Sequence, residues 1–148
     1  MKKKIPIKIV VDTREQNPLW KKDVISKKLD VGDYSIEGFE DQIAIERKSL
    51  TDLFGTLGKG HRRFNKEIER SKGLEYFAIV IDGTVTNCLL KDFKGANYSR
   101  MKGFVILAIL MSLHMKHNIP FFFTNGRSES KRIIKELFNA FYRKKGLK

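Results

Sequence analysis

Two acidic residues and a lysine stand in a pattern that suits metal-assisted hydrolysis. Asp33 precedes one apolar segment, and Glu46 and Lys48 end the next. Alternate residues of an extended strand project to the same face, so Glu46 and Lys48 are predicted to lie side by side, with Arg47 on the opposite face. Carboxylate oxygens bind hard ions such as Mg²⁺, and a neighbouring lysine can orient or deprotonate an attacking water.

Each of these residues also has a plainer structural interpretation. Asp33 directly after Gly32 is typical of a turn, and Lys48 could be a solvated charge at the edge of a sheet. Glu46 differs, because a carboxylate within an apolar strand is unfavourable unless a cation accompanies it. That cation could be a metal ion or an arginine, so the strand alone leaves both interpretations open.

A second acidic cluster, Asp12-Thr13-Arg14-Glu15, follows the first apolar segment of the chain. We expect Asp12, Glu15 or both to complete the coordination of an ion, directly or through water. Arg14 is expected to reach a phosphate or to pair with one of the acids. The alternative for Asp12 is a strand-end acid that caps a turn.

Three motifs in this order resemble the XPF-like structure-selective endonucleases, a branch of the restriction-endonuclease-like superfamily. They are Val10-Val11-Asp12-Thr13-Arg14-Glu15, Gly32-Asp33-Tyr34, and Glu46-Arg47-Lys48 with Asp52 four positions later. The segment Gly60-His61-Arg62-Arg63-Phe64 and the later elements extend the resemblance over nearly the whole chain. It implies that Lys48 takes part in the chemistry and that Arg47 contacts phosphate or supports the acids. Asp52 belongs to the motif but is expected mainly to cap a helix.

The resemblance implies a DNA endonuclease that uses Mg²⁺, with Mn²⁺ able to substitute. Asp33 and Glu46 would hold the ion with help from Asp12 or Glu15, and water would be the nucleophile. Further implications are action on flap or fork DNA, a role in DNA repair or recombination, and a homodimer or heterodimer. The alternatives are a noncatalytic subunit that only binds nucleic acid and a nuclease-like protein that acts on RNA. Intact Asp33, Glu46 and Lys48 argue against the noncatalytic subunit, and no aromatic RNA-recognition signature supports the RNA alternative.

Positive charge is abundant in the chain. Of its 148 residues, 30 are lysine or arginine and 17 are aspartate or glutamate, which gives a formal net charge of +13. This surplus favours nucleic acid as a partner, although a genome composition that favours lysine codons would also produce it. The cations expected to follow a DNA backbone are Lys59, His61, Arg62, Arg63 and Lys66. The alternative is a solvated helix face.

Alternating strand and helix patterns predict one α/β domain over residues 1–148, without an appended helix-hairpin-helix module. We expect a restriction-endonuclease-like fold, a central mixed β-sheet with helices on both faces. The early strands, predicted to pair as a meander, are 5–12, 24–29, 34–36 and 43–48. Later come helices at 50–57, 62–71, 98–116 and 128–142, with strands at 76–81 and 119–123. Ser49 is the expected N-cap of the first helix.

Cysteine usage and apolar runs bear on the compartment. Cys88 is the single cysteine, so an internal disulfide is excluded and a reducing cytoplasm is the expected location. The start of the chain lacks the apolar core of a signal peptide. The most apolar run, 104–113, is about half of the roughly 20 residues that span a bilayer. It predicts a buried helix and no membrane association.

Overall fold

A six-stranded mixed sheet forms the centre of the protein in a computed structural model, which describes residues 7–147. Its strands are β1 (Ile9–Val11), β2 (Val24–Ser26), β3 (Tyr34–Ile36), β4 (Ile43–Ser49), β5 (Tyr76–Asp82) and β6 (Phe121–Thr124). They lie side by side in the order β2, β1, β3, β4, β5, β6. The middle positions of β5 are buried throughout, as expected of a strand that is covered on both faces.

Strand direction determines where the acidic motifs meet. β4, β5 and β6 run parallel, so their carboxyl ends lie at one edge of the sheet. β3 runs antiparallel to both β1 and β4. Asp33, just before β3, therefore lies beside β4, where its N–H donates to the Ile45 carbonyl at 2.9 Å. Asp12 follows β1 at the same edge.

The predicted meander of the first four strands is wrong, and the difference lies in β2. This strand pairs in parallel with β1 at the outer edge of the sheet instead of lying beside β3. After β2 the chain turns back toward β1, where the Leu29 N–H donates to the Asp12 carboxylate at 2.7 Å. The predicted strand 24–29 is therefore shorter in the structure and ends at Ser26. Residues 5 and 6 of the first predicted strand lie outside the described residues.

Helices cover both faces of the sheet, which confirms the predicted α/β class. Within residues 7–147 they are α1 (Leu50–Leu57), α2 (His61–Ser71), α3 (Val85–Leu90), α4 (Gly103–His117) and α5 (Arg127–Lys144). On one face, α1, α2 and α4 pack around a core that includes Leu53, Ile68 and Leu110. On the other face, α5 packs through Ile134 and Phe138.

Capping explains where two of the helices begin. The Ser49 hydroxyl accepts from the Asp52 N–H at 3.1 Å, so the predicted N-cap of α1 is confirmed. Helix α3 is an element that the sequence pattern does not predict, because six residues are too few to display an apolar period. It is instead fixed by a reciprocal capping box between Thr84 and Asn87.

The apolar helix α4 is only half buried, which differs from the prediction. A short 3-10 turn, Ala96–Tyr98, precedes it, and the helix begins at Gly103. Ile106 is fully buried, whereas Phe104 is 62% exposed and Met115 is 83% exposed. Hydrophobic side chains therefore cover the inner face of α4 and also part of its outer face. In the part of the chain that the structure describes, no helix has the length and apolarity needed to cross a membrane.

Candidate active site

A glycine places Asp33 against β4. Gly32 has a φ of +83°, and a Cβ atom there would lie 2.9 Å from the Ala44 Cβ, so both conformation and space favour glycine. The close approach allows the Arg47 N–H of β4 to donate to Asp33 Oδ2 at 2.8 Å. The Gly-Asp pair therefore fixes one carboxyl group beside the Glu-Arg-Lys strand.

The carboxyl groups of Asp33 and Glu46 meet at this position. Glu46 is 8% exposed, and its carboxyl lies in hydrogen-bonding contact with that of Asp33. Burial, reinforced by the Asp33 carboxyl, raises the pKa of Glu46 well above its usual range. Burial also raises the pKa of Asp33, although the hydrogen bond from the Arg47 N–H acts in the opposite direction. Two charged carboxylates are therefore unfavourable here without a cation.

Lys48 lies on the same side of β4 as Glu46, as its register predicts. Its Nζ is 3.7 Å from Glu46 Oε2 and 5.6 Å from the centroid of the Phe64 ring. Phe64 belongs to α2 and is 2% exposed, so the ring is a fixed support for the ammonium group. The lysine is thus held beside the acids, where it could orient a water molecule.

Arg47 points to the opposite face, also as predicted, where its guanidinium joins three parts of the chain. It donates to Asp82 Oδ2 of β5 at 2.8 Å and to the Asn17 carbonyl at 3.1 Å. Its Nε lies 3.7 Å from Glu15 Oε2 and is buried without a hydrogen-bond partner. Of the two roles expected for Arg47, these contacts favour support of the acids over contact with phosphate.

The Asp12 carboxylate joins the end of β1 to the segment that follows β2. Its carboxylate accepts three hydrogen bonds from Arg14, at 2.9, 2.9 and 3.0 Å, and one from the Leu29 N–H at 2.7 Å. Burial opposes ionisation, yet the hydrogen bonds from Arg14 and Leu29 outweigh it and lower the pKa of Asp12. Asp12 is also absent from the side chains that line the adjacent cleft. Arg14 lines the cleft, but its guanidinium donates hydrogen bonds to the Asp12 carboxylate and the Leu29 carbonyl.

Glu15 and Asp52 border the site from two sides. The Glu15 carboxylate accepts a hydrogen bond from the Tyr34 hydroxyl at 3.3 Å and one from the Asn17 N–H at 3.3 Å. Asp52 stands in the first turn of α1, where a negative charge suits the helix dipole. Both side chains line the cleft, so either carboxylate is available to a ligand bound there.

Basic residues form the rim of this cleft, which has a volume of about 800 Å³ and lies between β4, α1 and α2. Three of the five cations predicted to follow DNA line it, namely Lys59, Arg62 and Arg63. His61 and Lys66 are exposed on α2 outside the lining, and His61 Nδ1 contacts the Gly58 carbonyl at 3.1 Å. The arrangement places cations around a buried acidic centre.

The structure adds two acidic residues that the sequence reasoning missed. Glu67 of α2 lines the cleft and contacts the Glu46 carboxyl, and Asp82 of β5 holds Arg47. Both left a signal. Glu67 follows the buried Phe64 by three positions, which places it near the inner face of the helix. Asp82 ends an apolar strand, and parallel pairing brings it opposite Ser49 of β4.

The acidic centre suits a hard divalent ion in its chemistry. Asp33 and Glu46 supply oxygen ligands, and burial is the main cause of their raised pKa values, so a cation would favour their charged forms. In residues 7–147, no three acidic, histidine or cysteine side chains are already arranged around a vacant metal position. Binding an ion would therefore require the side chains to reorient around it.

Comparison with known proteins agrees with the motifs. A family model described as the ERCC4 domain matches residues 11–137. A protein of Methanocaldococcus jannaschii named Putative ATP-dependent RNA helicase is 25% identical over 135 residues. That alignment covers 88% of this chain and 15% of the relative, so the chain spans only a small part of that protein.

Solved structures give the same answer for the fold. XPF from Aeropyrum pernix superposes with a TM-score of 0.71 at 23% identity, over 95% of this chain and 64% of that one. The same protein in complex with DNA gives a TM-score of 0.70 at 23% identity, over 93% and 66%. The chain thus spans just under two thirds of these solved chains. The predicted XPF-like nuclease fold is confirmed.

Proposed function

The chain belongs to the ERCC4 domain family, and from this premise we propose that it is a metal-dependent endonuclease that hydrolyses phosphodiester bonds in DNA. The observation that supports the proposal most is the contact between the half-buried carboxyl of Asp33 and the buried carboxyl of Glu46. Lys48 lies 3.7 Å from Glu46 at the same cleft. A purely structural site would pair these acids with donors, as the Asp12 loop does.

Each residue of the proposed site has a role that follows from its contacts. Asp33 and Glu46 would hold a Mg²⁺ or Mn²⁺ ion, with Glu15 at the border of the cleft available through water. The chemistry that such an ion supplies is polarisation of the scissile phosphate and stabilisation of the charge that develops on it. Lys48 would orient the attacking water, and its ammonium group would stabilise the hydroxide that forms as the proton passes to solvent.

Two residues of the original prediction take supporting roles in the proposal. Asp12 is omitted from the ligand set, because its four hydrogen bonds leave the carboxylate engaged with Arg14 and Leu29. Arg47 orients the site from behind, through its backbone bond to Asp33 and its ion pair with Asp82. Asp52 keeps its helix-capping position at the cleft rim.

The proposed path for DNA crosses the basic rim. Lys59, Arg62 and Arg63 border the cleft, where they can neutralise phosphates on either side of the scissile bond. His61 and Lys66 would contact phosphates farther along α2. XPF from Aeropyrum pernix has been solved with DNA, which supports DNA as the substrate class for this chain. Flap and fork DNAs, as in repair or recombination, are the branched substrates that the family suggests.

A dimer is part of the proposal, with a second copy of the chain as the partner. Phe104, Met111 and Met115 of α4 are 62%, 44% and 83% exposed, and Leu90 of α3, a helix in contact with α4, is 73% exposed. Exposed apolar side chains of this size are typical of an interface, and a two-fold axis would pair the two copies of α4. Light scattering should report a dimer that Met115→Glu dissociates. A monomeric wild type would direct the search to a different chain.

The cytoplasm remains the proposed location, supported by the buried free thiol of Cys88.

The test of the function uses end-labelled single-stranded, duplex, flap and fork DNAs, with a matched RNA, in Mg²⁺, Mn²⁺ or EDTA. Wild type, Glu46→Ala and Glu69→Ala are compared, since Glu69 is an exposed acid on α2 that pairs with Lys72. Metal-dependent cleavage of DNA that only Glu46→Ala loses is the expected result. Binding without cleavage in every metal would instead favour the noncatalytic subunit, and cleavage confined to RNA would overturn the substrate assignment.

A further inference from the structure

Helix α2 brings a third carboxylate to the acidic centre. The helix is anchored by Phe64 and Ile68, which are 2% and 1% exposed. Glu67 lies between these anchors on the helix surface that faces β4, and its carboxyl contacts that of Glu46. It also lines the same cleft as Asp33 and Lys48. Packing therefore fixes the helix that carries the third carboxyl beside the acidic centre.

The surroundings of Glu46 indicate that a cation belongs among these carboxyls. Glu46 is a buried residue whose side chain is 11% exposed and lines the cleft. Within residues 7–147, its side chain accepts no hydrogen bond from an N–H donor, and its cationic neighbour is Lys48 at 3.7 Å. One lysine faces three carboxyl groups. A divalent ion would compensate the remaining charge, and carboxylate oxygens are the ligands it prefers.

We propose that Glu67 is part of the metal-binding carboxylate set, together with Asp33 and Glu46, so that the bound ion links β4 to α2. This inference rests on the proposed function and extends it. Arg62 and Arg63 belong to the same helix and line the same cleft. Occupancy of the metal position therefore adds positive charge beside these cations, on the path proposed for the phosphates. Metal binding and DNA binding should each strengthen the other.

The test measures Mn²⁺ affinity directly, by calorimetry and by the loss of free-ion signal in electron paramagnetic resonance, without a substrate. Wild type is compared with Glu46→Gln, Glu67→Gln and Glu69→Gln. Glu69 is a matched control on the same helix, since its side chain is 66% exposed and paired with Lys72 at 2.8 Å. Circular dichroism verifies that each variant is folded.

We expect Glu67→Gln to weaken Mn²⁺ binding by roughly tenfold to a hundredfold, the range seen when residues around a metal site are removed. Glu69→Gln should stay within about twofold of the wild type, which fits the small contribution of an exposed ion pair. Equal affinities in Glu67→Gln and Glu69→Gln, with Glu46→Gln impaired, would overturn the role of Glu67 and leave the proposed function standing. A wild type that binds Mn²⁺ no better than Glu46→Gln would overturn both.

Discussion

Asp12 and Glu46 are both acids buried at the same edge of the sheet, and their surroundings are opposite. Asp12 is 3% exposed and Glu46 is 8% exposed. The Asp12 carboxylate accepts four hydrogen bonds from N–H groups of Arg14 and Leu29. Glu46 meets the carboxyls of Asp33 and Glu67 instead. One acid accepts hydrogen bonds from several N–H donors, and the other meets two further carboxyls with Lys48 as its cationic neighbour at 3.7 Å.

In the proposed function, the difference is that between an acid that supports the fold and an acid that binds a ligand. Hydrogen bonds lower the pKa of Asp12 against the effect of burial, so the charged form supports the folded state. Burial and neighbouring carboxyls raise the pKa of Glu46, so its charged form opposes folding in the absence of a cation. Such opposition is typical of a site whose ligand supplies the missing charge.

The largest expected effect separates the two regions by activity. Asp33→Asn, in the centre of like charges, should lower the single-turnover cleavage rate by roughly 10²–10³-fold, the loss typical of removing one electrostatic stabiliser. Asp12→Asn should keep the wild-type rate per folded molecule. Both rates are measured on the preferred end-labelled DNA in excess Mg²⁺. Equal losses of cleavage rate in the two variants would contradict the proposal that only Asp33 takes part in the chemistry.

For stability the order should be reversed, so that the variant of Asp12 loses more than the variant of Asp33. Asp12→Asn replaces a charged acceptor and places an amide donor against the N–H groups of Arg14 or Leu29. Loss of such charge-assisted hydrogen bonds should reduce the free energy of unfolding by about 2 kcal/mol. The melting temperature should then fall by roughly 6 °C. Urea and thermal unfolding test this value, and an unchanged melting temperature would contradict a structural role for Asp12.

In the metal-free protein, Glu46→Gln should change the free energy of unfolding in the direction opposite to Asp12→Asn. Removing a charge that opposes folding should increase the free energy of unfolding by roughly 1 kcal/mol at neutral pH, while cleavage is lost. The gain should disappear when Mn²⁺ is added, because the ion stabilises only the wild type. Thermal unfolding in EDTA and in Mn²⁺ measures both values. A destabilised variant in EDTA would show that Glu46 is structural.

The stability of the two variants should depend on pH in opposite directions. Because the folded-state pKa of Glu46 is raised, its contribution to stability is full at acidic pH and is lost as the pH rises through that value. The advantage of Glu46→Gln should therefore grow with rising pH. Asp12 has a lowered folded-state pKa, so its contribution is present at neutral pH and is lost as the pH falls through that value. The defect of Asp12→Asn should therefore shrink in acid.

Local signals account for the parts of the fold that the sequence predicts. The Ser49 cap and the apolar run of β5 are encoded by neighbouring residues, and α1 and β5 lie where they are expected. The position of β2 depends instead on pairing with β1 across a long connection, which periodicity does not report. Helix α3 is too short for a period, and the exposure of Phe104 depends on what packs against α4.

The same limit applies to the site. Register alone places Glu46 and Lys48 on one face of β4, and the structure agrees. Asp12 and Asp33 look alike in the sequence, since each borders a short strand in a recognisable motif. What distinguishes them is a donor 17 positions from Asp12, the Leu29 N–H, and a carboxyl group on the strand beside Asp33. Such partners are set by tertiary contacts.

The smallest expected effect concerns the rim that must bring a polyanion to this acidic centre. Arg63 lines the cleft, whereas Lys66 lies on the same helix outside the lining. Arg63→Ala should weaken DNA binding severalfold and reduce the slope of log affinity against log salt by about 0.9, the value for one phosphate contact. Lys66→Ala should have a smaller effect. Fluorescence anisotropy in EDTA from 50 to 200 mM salt (roughly the range over which the slope is defined) measures both.

Lys131 supplies the control, because it lies on α5 at the other face of the sheet, over the Trp20 ring. Lys131→Ala removes the same charge and should leave the salt dependence unchanged if DNA runs through the cleft. An effect of Lys131→Ala as large as that of Arg63→Ala would mean that binding follows net charge and not position. The acids would then have no defined DNA path beside them. A reduced slope confined to Arg63→Ala would place the phosphates where the buried acids can act on them.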